Sequence, residues 1–376
     1  MNRDGKSPLV VQLLDEASFE AMGTKWNGLL EAGNVDNIFL TWEWMWTWWQ
    51  VYGSSYRLLL LYIQDENEIC VGIAPLKIAR RYYHGLPYRQ VEFIGYGPEV
   101  SPDHLDLIMA SGYPGQVIDA VWSYLMDHRK LWDVLYLTDI PNASQTLSSL
   151  NLLTHEGGYG IERDQGLPCP YLPIQSSWEI YLKSLTQKHR YNLRKREKLL
   201  TNVHQITFDV IQTRPAIDEA LEEVFKLHKS VWNAKGETGS FDRHIFNKEF
   251  HRRLVERISP LGWVVIYVLK IDGMFGALLY TYRYHNRTFH YQVGRDKKWD
   301  KYGHGQLLMK CILQHLFKEG GKEFDSLRGA EPYKYDWMKL ERINLHLKIW
   351  NQSTWGRLLR CIMRMGRFLR QRLDAF

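Results

Sequence analysis

One order of elements occurs twice in this chain, and that repetition constrains the fold more than any other feature. Tyr56–Gln64 and Ile69–Ile78 read as two strands around a polar turn, Asp65–Glu68. Trp263–Lys270 and Met274–Tyr284 read the same way around Ile271–Gly273. A third strand follows in each copy, Tyr88–Ile94 and Arg287–Val293. A helix then starts at Pro114–Val117 in one copy and at His304–Leu307 in the other. Each leads to a further strand, Asp133–Leu137 and Glu323–Leu327. A β-β-β-α-β order recurring at similar spacing predicts duplication, with strands and helices interleaved in an α/β chain. The expected domains are 1–165 and 166–350, followed by a basic tail, 351–376. At 376 residues the chain is long enough for both.

The second copy carries the richer chemistry. Its third strand ends near Gly294, and a short loop brings Gly303 and Gly305 to the start of a helix. Glycines there let backbone N–H groups approach an anion closely, and the helix dipole favours negative charge. The next strand ends in a polar cluster of Asp325, Arg328, Glu331, Tyr333 and Lys334. A phosphate-bearing ligand beside functional side chains is the chemistry this order implies. The first copy has Thr138-Asp139-Ile140-Pro141 at the equivalent point and lacks such a cluster.

This arrangement resembles the GNAT superfamily of acyltransferases, whose pyrophosphate loop reads Arg/Gln-x-x-Gly-x-Gly/Ala. The glycines fall on Gly303 and Gly305, while Asp300 stands where Arg or Gln is usual. The series Phe324-Asp325, Arg328-Gly329 and Tyr333-Lys334 is similar to the CelD-like and FemAB-like branch. The resemblance implies two tandem GNAT-like domains, each a mixed twisted sheet flanked by helices. It implies an acyl-CoA donor and an amine or hydroxyl acceptor, on a small molecule or a cell-envelope or exopolysaccharide precursor. Gln292, Val293 and Gly294 would edge the acyl group. Tyr302, Gly303, His304, Gly305 and Gln306 would receive the pyrophosphate, with Lys301 adding charge. Asp325 or Glu331 would serve as base and Tyr333 as acid, while Arg328 and Lys334 would hold an anionic group of the acceptor. No metal is implied.

Other segments extend the expected site. Trp178–Leu200 reads as one basic helix in which Arg190 and Arg194, one turn apart, fit a phosphate clamp. Trp232 stands before a glycine-containing loop, and Asp103 and Asp106 lie in an acidic loop able to position an acceptor. Phe39–Trp49 reads as a tryptophan-rich helix, either core or stacking platform. Net charge is +6, compatible with anionic ligands. Four scattered cysteines without CxxC spacing read as buried thiols.

The tail Trp355–Phe376 interleaves apolar residues with Arg357, Arg360, Arg364, Arg367, Arg370 and Arg372. Such a helix suits an anionic membrane surface or an envelope-assembly partner. Met1–Asp15 lacks a signal-peptide pattern, and no long apolar run is present, so a cytoplasmic place is expected, with contact at the inner membrane face. Two further readings stay open: a transferase drawing on aminoacyl-tRNA, and a non-catalytic scaffold that has lost donor binding.

Overall fold

The computed structural model describes residues 8–373, apart from 34, 98, 99 and 235, with side chains described to 368. Its strands are β1 (Val10–Leu14), β2 (Arg57–Gln64), β3 (Cys70–Tyr83), β4 (Leu86–Phe93), β5 (Ile108–Met109), β6 (Val134–Pro141) and β7 (Gly160–Pro173). They continue with β8 (Ile206–Ile211), β9 (Val264–Ile271), β10 (Met274–Tyr284), β11 (Arg287–Arg295), β12 (Glu323–Asp325) and β13 (Leu340–Trp350). Contacts divide the chain into two compact units. The first comprises Met1–Gly97, Ser101–Gly166 and Ile343–Phe376, and the second Pro98–Val100 and Leu167–Arg342. Ile343–Trp350, expected in the second domain, therefore fall in the first unit, because β13 pairs there with β6.

The first unit orders its strands β1-β2-β3-β4-β6-β13-β7, with β5 on β3. The pairs β1–β2, β2–β3, β3–β4, β3–β5 and β6–β13 are antiparallel, whereas in β4–β6 Gln90 and Val91 run parallel to Val134 and Leu135. The second unit orders them β7-β12-β11-β10-β9-β8, and its parallel pair is β11–β12. In both units, then, the third strand of the repeated order lies parallel to the strand after the helix. The helix supplies the crossover that parallel neighbours need. Each sheet is mixed and flanked by helices, as the sequence implied.

The tryptophan helix, Trp42–Tyr52, is a core element of the first unit. Thr41 caps it, and Trp44, Trp46, Trp48 and Trp49 are all buried. The expected single basic helix is broken into Trp178–Ser184 and Gln187–Thr201. Leu185 leaves helical geometry, and the Thr186 hydroxyl accepts a hydrogen bond from His189 N–H (3.2 Å), capping a new helix. His189, Leu193 and Leu200 form its buried stripe. The second unit's core lies between that stripe, the helix His304–Glu319 and the sheet, around Tyr267, Leu279, Ile312, Phe324 and Trp337. No helix among the described residues is long and apolar enough to cross a membrane.

Candidate active site in the second unit

The site is built where two parallel strands part company. β12 pairs with β11 only as far as Asp325 and Phe289, and β11 continues to Arg295. Along that extension the register against β10 slips: Tyr280 faces Gln292, but Thr281 faces His290. Tyr291 is the extra residue of a β-bulge, which turns two successive side chains toward one face. Tyr291 lies against His251, Tyr280 and Tyr282. Gln292 also points that way, to His228. His290 and Val293 consequently share the opposite face, where they line a cavity of about 340 Å³.

The other wall is the start of the helix His304–Glu319. Gly303 caps it at φ +64°, a conformation that costs residues with a Cβ about 1 kcal/mol or more. A Cβ there would also lie 2.6 Å from Arg196 Cδ. The N–H groups of Gly303 and Gln306 are used by the carbonyls of Asp300 and Gly303. Those of His304 and Gly305, first in the helix, have no intrahelical acceptor. Beside Gly305 nothing lies within 4 Å of a notional Cβ, so its backbone faces open space. Arg196, Arg295, Asp300, Gln306, Tyr333 and Asp336 complete the polar lining, with Leu279, Leu308, Met309 and Ile312 beneath.

Charge at this helix start differs from the expected Lys301 arrangement. Lys301 is exposed and packs its ammonium over Tyr302 (4.9 Å). The Tyr302 hydroxyl meets His204 Nε2 (3.2 Å), away from the cavity lining. Asp300, which stands where the resembled loop pattern has Arg or Gln, is ion-paired with Arg295 and so neutralised locally. Arg196, brought from the basic helix, is the cation against Gly303. His304 is 1 % exposed, and neither ring nitrogen makes a geometric hydrogen bond. Burial, then Arg295, brings its pKa down to about 4, so it is neutral at pH 7.

The polar cluster after β12 divides between structure and cavity. Asp325, an expected base, is 1 % exposed; it accepts hydrogen bonds from Leu327 N–H (2.8 Å) and Arg342 Nη1 (3.1 Å). Arg342 also binds Glu323 through both Nη atoms (2.8 and 2.5 Å) and stacks on Tyr171. Asp325 is thus a strand-end anchor. Lys334, expected to hold the acceptor, is buried and donates to the carbonyls of Leu327 (3.2 Å) and Arg328 (2.8 Å). Its ammonium also pairs with exposed Glu331 (3.1 Å). It fixes the loop in which Leu327 holds φ +53° and Gly329 φ +128°. Arg328, half-buried, contributes its carbonyl to this strap. Tyr333 alone of the expected catalytic trio lines the cavity. Burial, with Glu331 second, raises its pKa well above the usual phenol range. His290, also in the lining, has a pKa brought down to about 3 by burial and then Lys334.

Replacing Arg342 by Met should destabilise the protein by about 3–5 kcal/mol, since two buried carboxylates lose their partner. Urea unfolding of both proteins measures it; a loss below 1 kcal/mol would mean the pair is dispensable.

The remaining expected residues lie elsewhere. Arg190 donates to the carbonyls of Lys183 (2.6 Å) and Leu185, closing the preceding helix. Arg194 is exposed on the outer side of its helix. Trp232 Nε1 donates to His228 Nε2 (2.9 Å), on the Gln292 face of the sheet. Gly294 packs against Val224 and Leu227 on that same face. Asp103 and Asp106 belong to the first unit. Asp103 is buried, and Asp106 accepts from Thr146 Oγ1 (2.6 Å) and Leu107 N–H (2.8 Å), a bonded loop anchor whose pKa burial raises. Sequence reasoning passed over Arg196, Arg295 and Asp336. Arg196 had a signal: it lies three residues after Leu193 and four before Leu200, on the inward stripe.

Residues 187–335 match the family model described as Acetyltransferase (GNAT) domain. No curated protein matches the chain by sequence. The crystal structure of FemX superposes with a TM-score of 0.62 at 10% identity, covering 92% of this chain and 98% of that one. L-PGS from Bacillus licheniformis gives 0.50 at 14% identity, covering 92% and 96%. A conserved protein of unknown function from Bacteroides thetaiotaomicron gives 0.52 at 11% identity, covering 91% and 99%. The chain shares the fold of these neighbours, and its match to the family model spans residues 187–335.

Proposed function

We propose that the protein is an acyltransferase that takes its acyl group from acyl-CoA and delivers it to an amine or hydroxyl. The observation that carries this reading is the cavity itself. It joins an open helix start, flanked by Arg196 and Arg295, to a protonated phenol, Tyr333. The donor's pyrophosphate would rest on the N–H groups of His304 and Gly305, with Arg196 opposite. Arg196 takes the part that the family's Arg or Gln plays, which accounts for the tolerance of Asp300. The thioester would lie along β11 near Val293, where the bulge interrupts regular pairing and can offer a backbone N–H to the carbonyl. Tyr333 would protonate the departing thiolate. Asp336, one turn beyond Tyr333 on the cavity rim, is a better-placed carboxylate than Asp325 to take the acceptor's proton.

Calorimetric titration with CoA and acetyl-CoA tests this. Micromolar binding is expected. Gly305→Leu fills open space without strain and should abolish it. Arg196→Ala should weaken it by about 10- to 100-fold, the loss of one charge-assisted contact. A folded protein that ignores both ligands would refute the CoA reading. The exposed basic face of Gln187–Thr201, with Lys188, Arg194, Lys195 and Lys198, supports a second reading, aminoacyl-tRNA as donor. That binding should fall steeply with salt.

A further inference from the structure

The last helix, Thr354–Leu373, carries two different apolar faces. Its inner face, Leu359 and Met363, is buried against Val134, Trp350, Tyr83, Tyr88 and Tyr136 of the first unit. A second stripe points outward: Leu358 is 49 % exposed, Met365 60 % and Phe368 55 %, with exposed Cys361 between them. These residues recur at helical spacing along one side. Exposed Arg357 and Arg364 flank the stripe. Beyond them a groove of about 450 Å³ is lined by Arg163, Arg360, Arg364 and Arg367, with Glu162 and Asp164 as its acids. Arg367 satisfies Glu162 (2.8 Å), while Arg360 Nε is buried without a hydrogen-bond partner. The side chains of Leu369, Arg370 and Arg372 lie outside the described residues.

We propose that this helix docks the protein on an anionic bilayer surface. The outward stripe enters the headgroup–acyl boundary, and the arginines meet lipid phosphates, Arg360 and Arg364 from the groove. Charge decides the occupant: a protein partner would cover the stripe without calling for arginines along it, whereas an anionic membrane rewards both features at once. Burial of the inner face fixes the helix, so docking needs no unfolding.

Co-sedimentation of the full chain with phosphatidylcholine vesicles, with and without phosphatidylglycerol, tests the proposal. Binding is expected to the anionic vesicles and to decline with salt. R357E/R364E should weaken it by roughly 20-fold or more, and M365S/F368S should lower it with circular dichroism unchanged, since both residues are exposed. Equal binding to neutral vesicles, undiminished binding by both variants, or no binding at all would overturn it. So would a self-association that M365S/F368S abolishes while vesicles are ignored. The assay needs neither donor nor acceptor, so it stands or falls apart from the acyl-transfer reading.

Discussion

Acidification from pH 7 to pH 4.5 should unfold the second unit. Four of its histidines, His228, His251, His290 and His304, are buried, and burial is the leading cause that brings their pKa values to about 4, 3, 3 and 4. In the unfolded chain each would titrate near 6.5. Below that pH the unfolded chain binds protons that the folded unit refuses, so stability falls as pH falls. The stabilisation is complete above about pH 6.5, and its loss ends only when the folded forms titrate, near pH 3 to 4. Each histidine withdraws about 1.4 kcal/mol per pH unit in that window. Over two units four of them offset several kcal/mol, comparable with the ~5–15 kcal/mol that holds a typical domain. Urea unfolding at pH 7, 6 and 5 would show the slope. His251→Gln should lessen it, because that ring sits in an aromatic cage with Phe241, Tyr280 and Tyr291. Flat stability across these pH values would mean that the histidines gain protons without unfolding.

Tyr333→Phe should lower turnover by about 10²- to 10⁴-fold, the range expected for loss of a positioned acid, and leave CoA affinity unchanged. The prediction rests on the proposed roles. The phenol lines the cavity but makes no part of the helix start that would hold the pyrophosphate, so the chemical step should feel its loss most. Because Phe keeps the ring near His290 (6.5 Å between centroids), packing should survive. Single-turnover kinetics and calorimetry separate the two effects. Undiminished turnover would mean the thiolate takes its proton from water.

The repeat was legible because alternation and turn residues mark strands locally. Met274–Tyr284 is found with the bounds its pattern gave. The helix start was legible because Gly303 and Gly305 are punctuation. Roles within the polar cluster were not, since a carboxylate's fate depends on partners that sequence distance hides. Asp325 is claimed by Arg342 from another strand, and Lys334 by carbonyls of its own loop. Basic residues on Gln187–Thr201 looked alike as a list. Only the buried stripe of His189, Leu193 and Leu200 separates Arg196, in the cavity, from Arg194, outside it.

The extra residue at Tyr291 puts the two halves of β11 out of phase. His290 and Val293, an odd number apart, share a face only because of it. Deleting Tyr291 would restore strict alternation and leave every remaining side chain on its present face, with His290 and Val293 in the cavity and Gln292 and Gly294 toward Ala216–Asn233. A change in the count of residues beyond the bulge is the graver lesion, because a one-residue slip there moves cavity side chains to the opposite face. In variants of this chain, β11 should accept loss of Tyr291, or substitutions at the cavity, far more readily than a one-residue insertion or loss beside Val293.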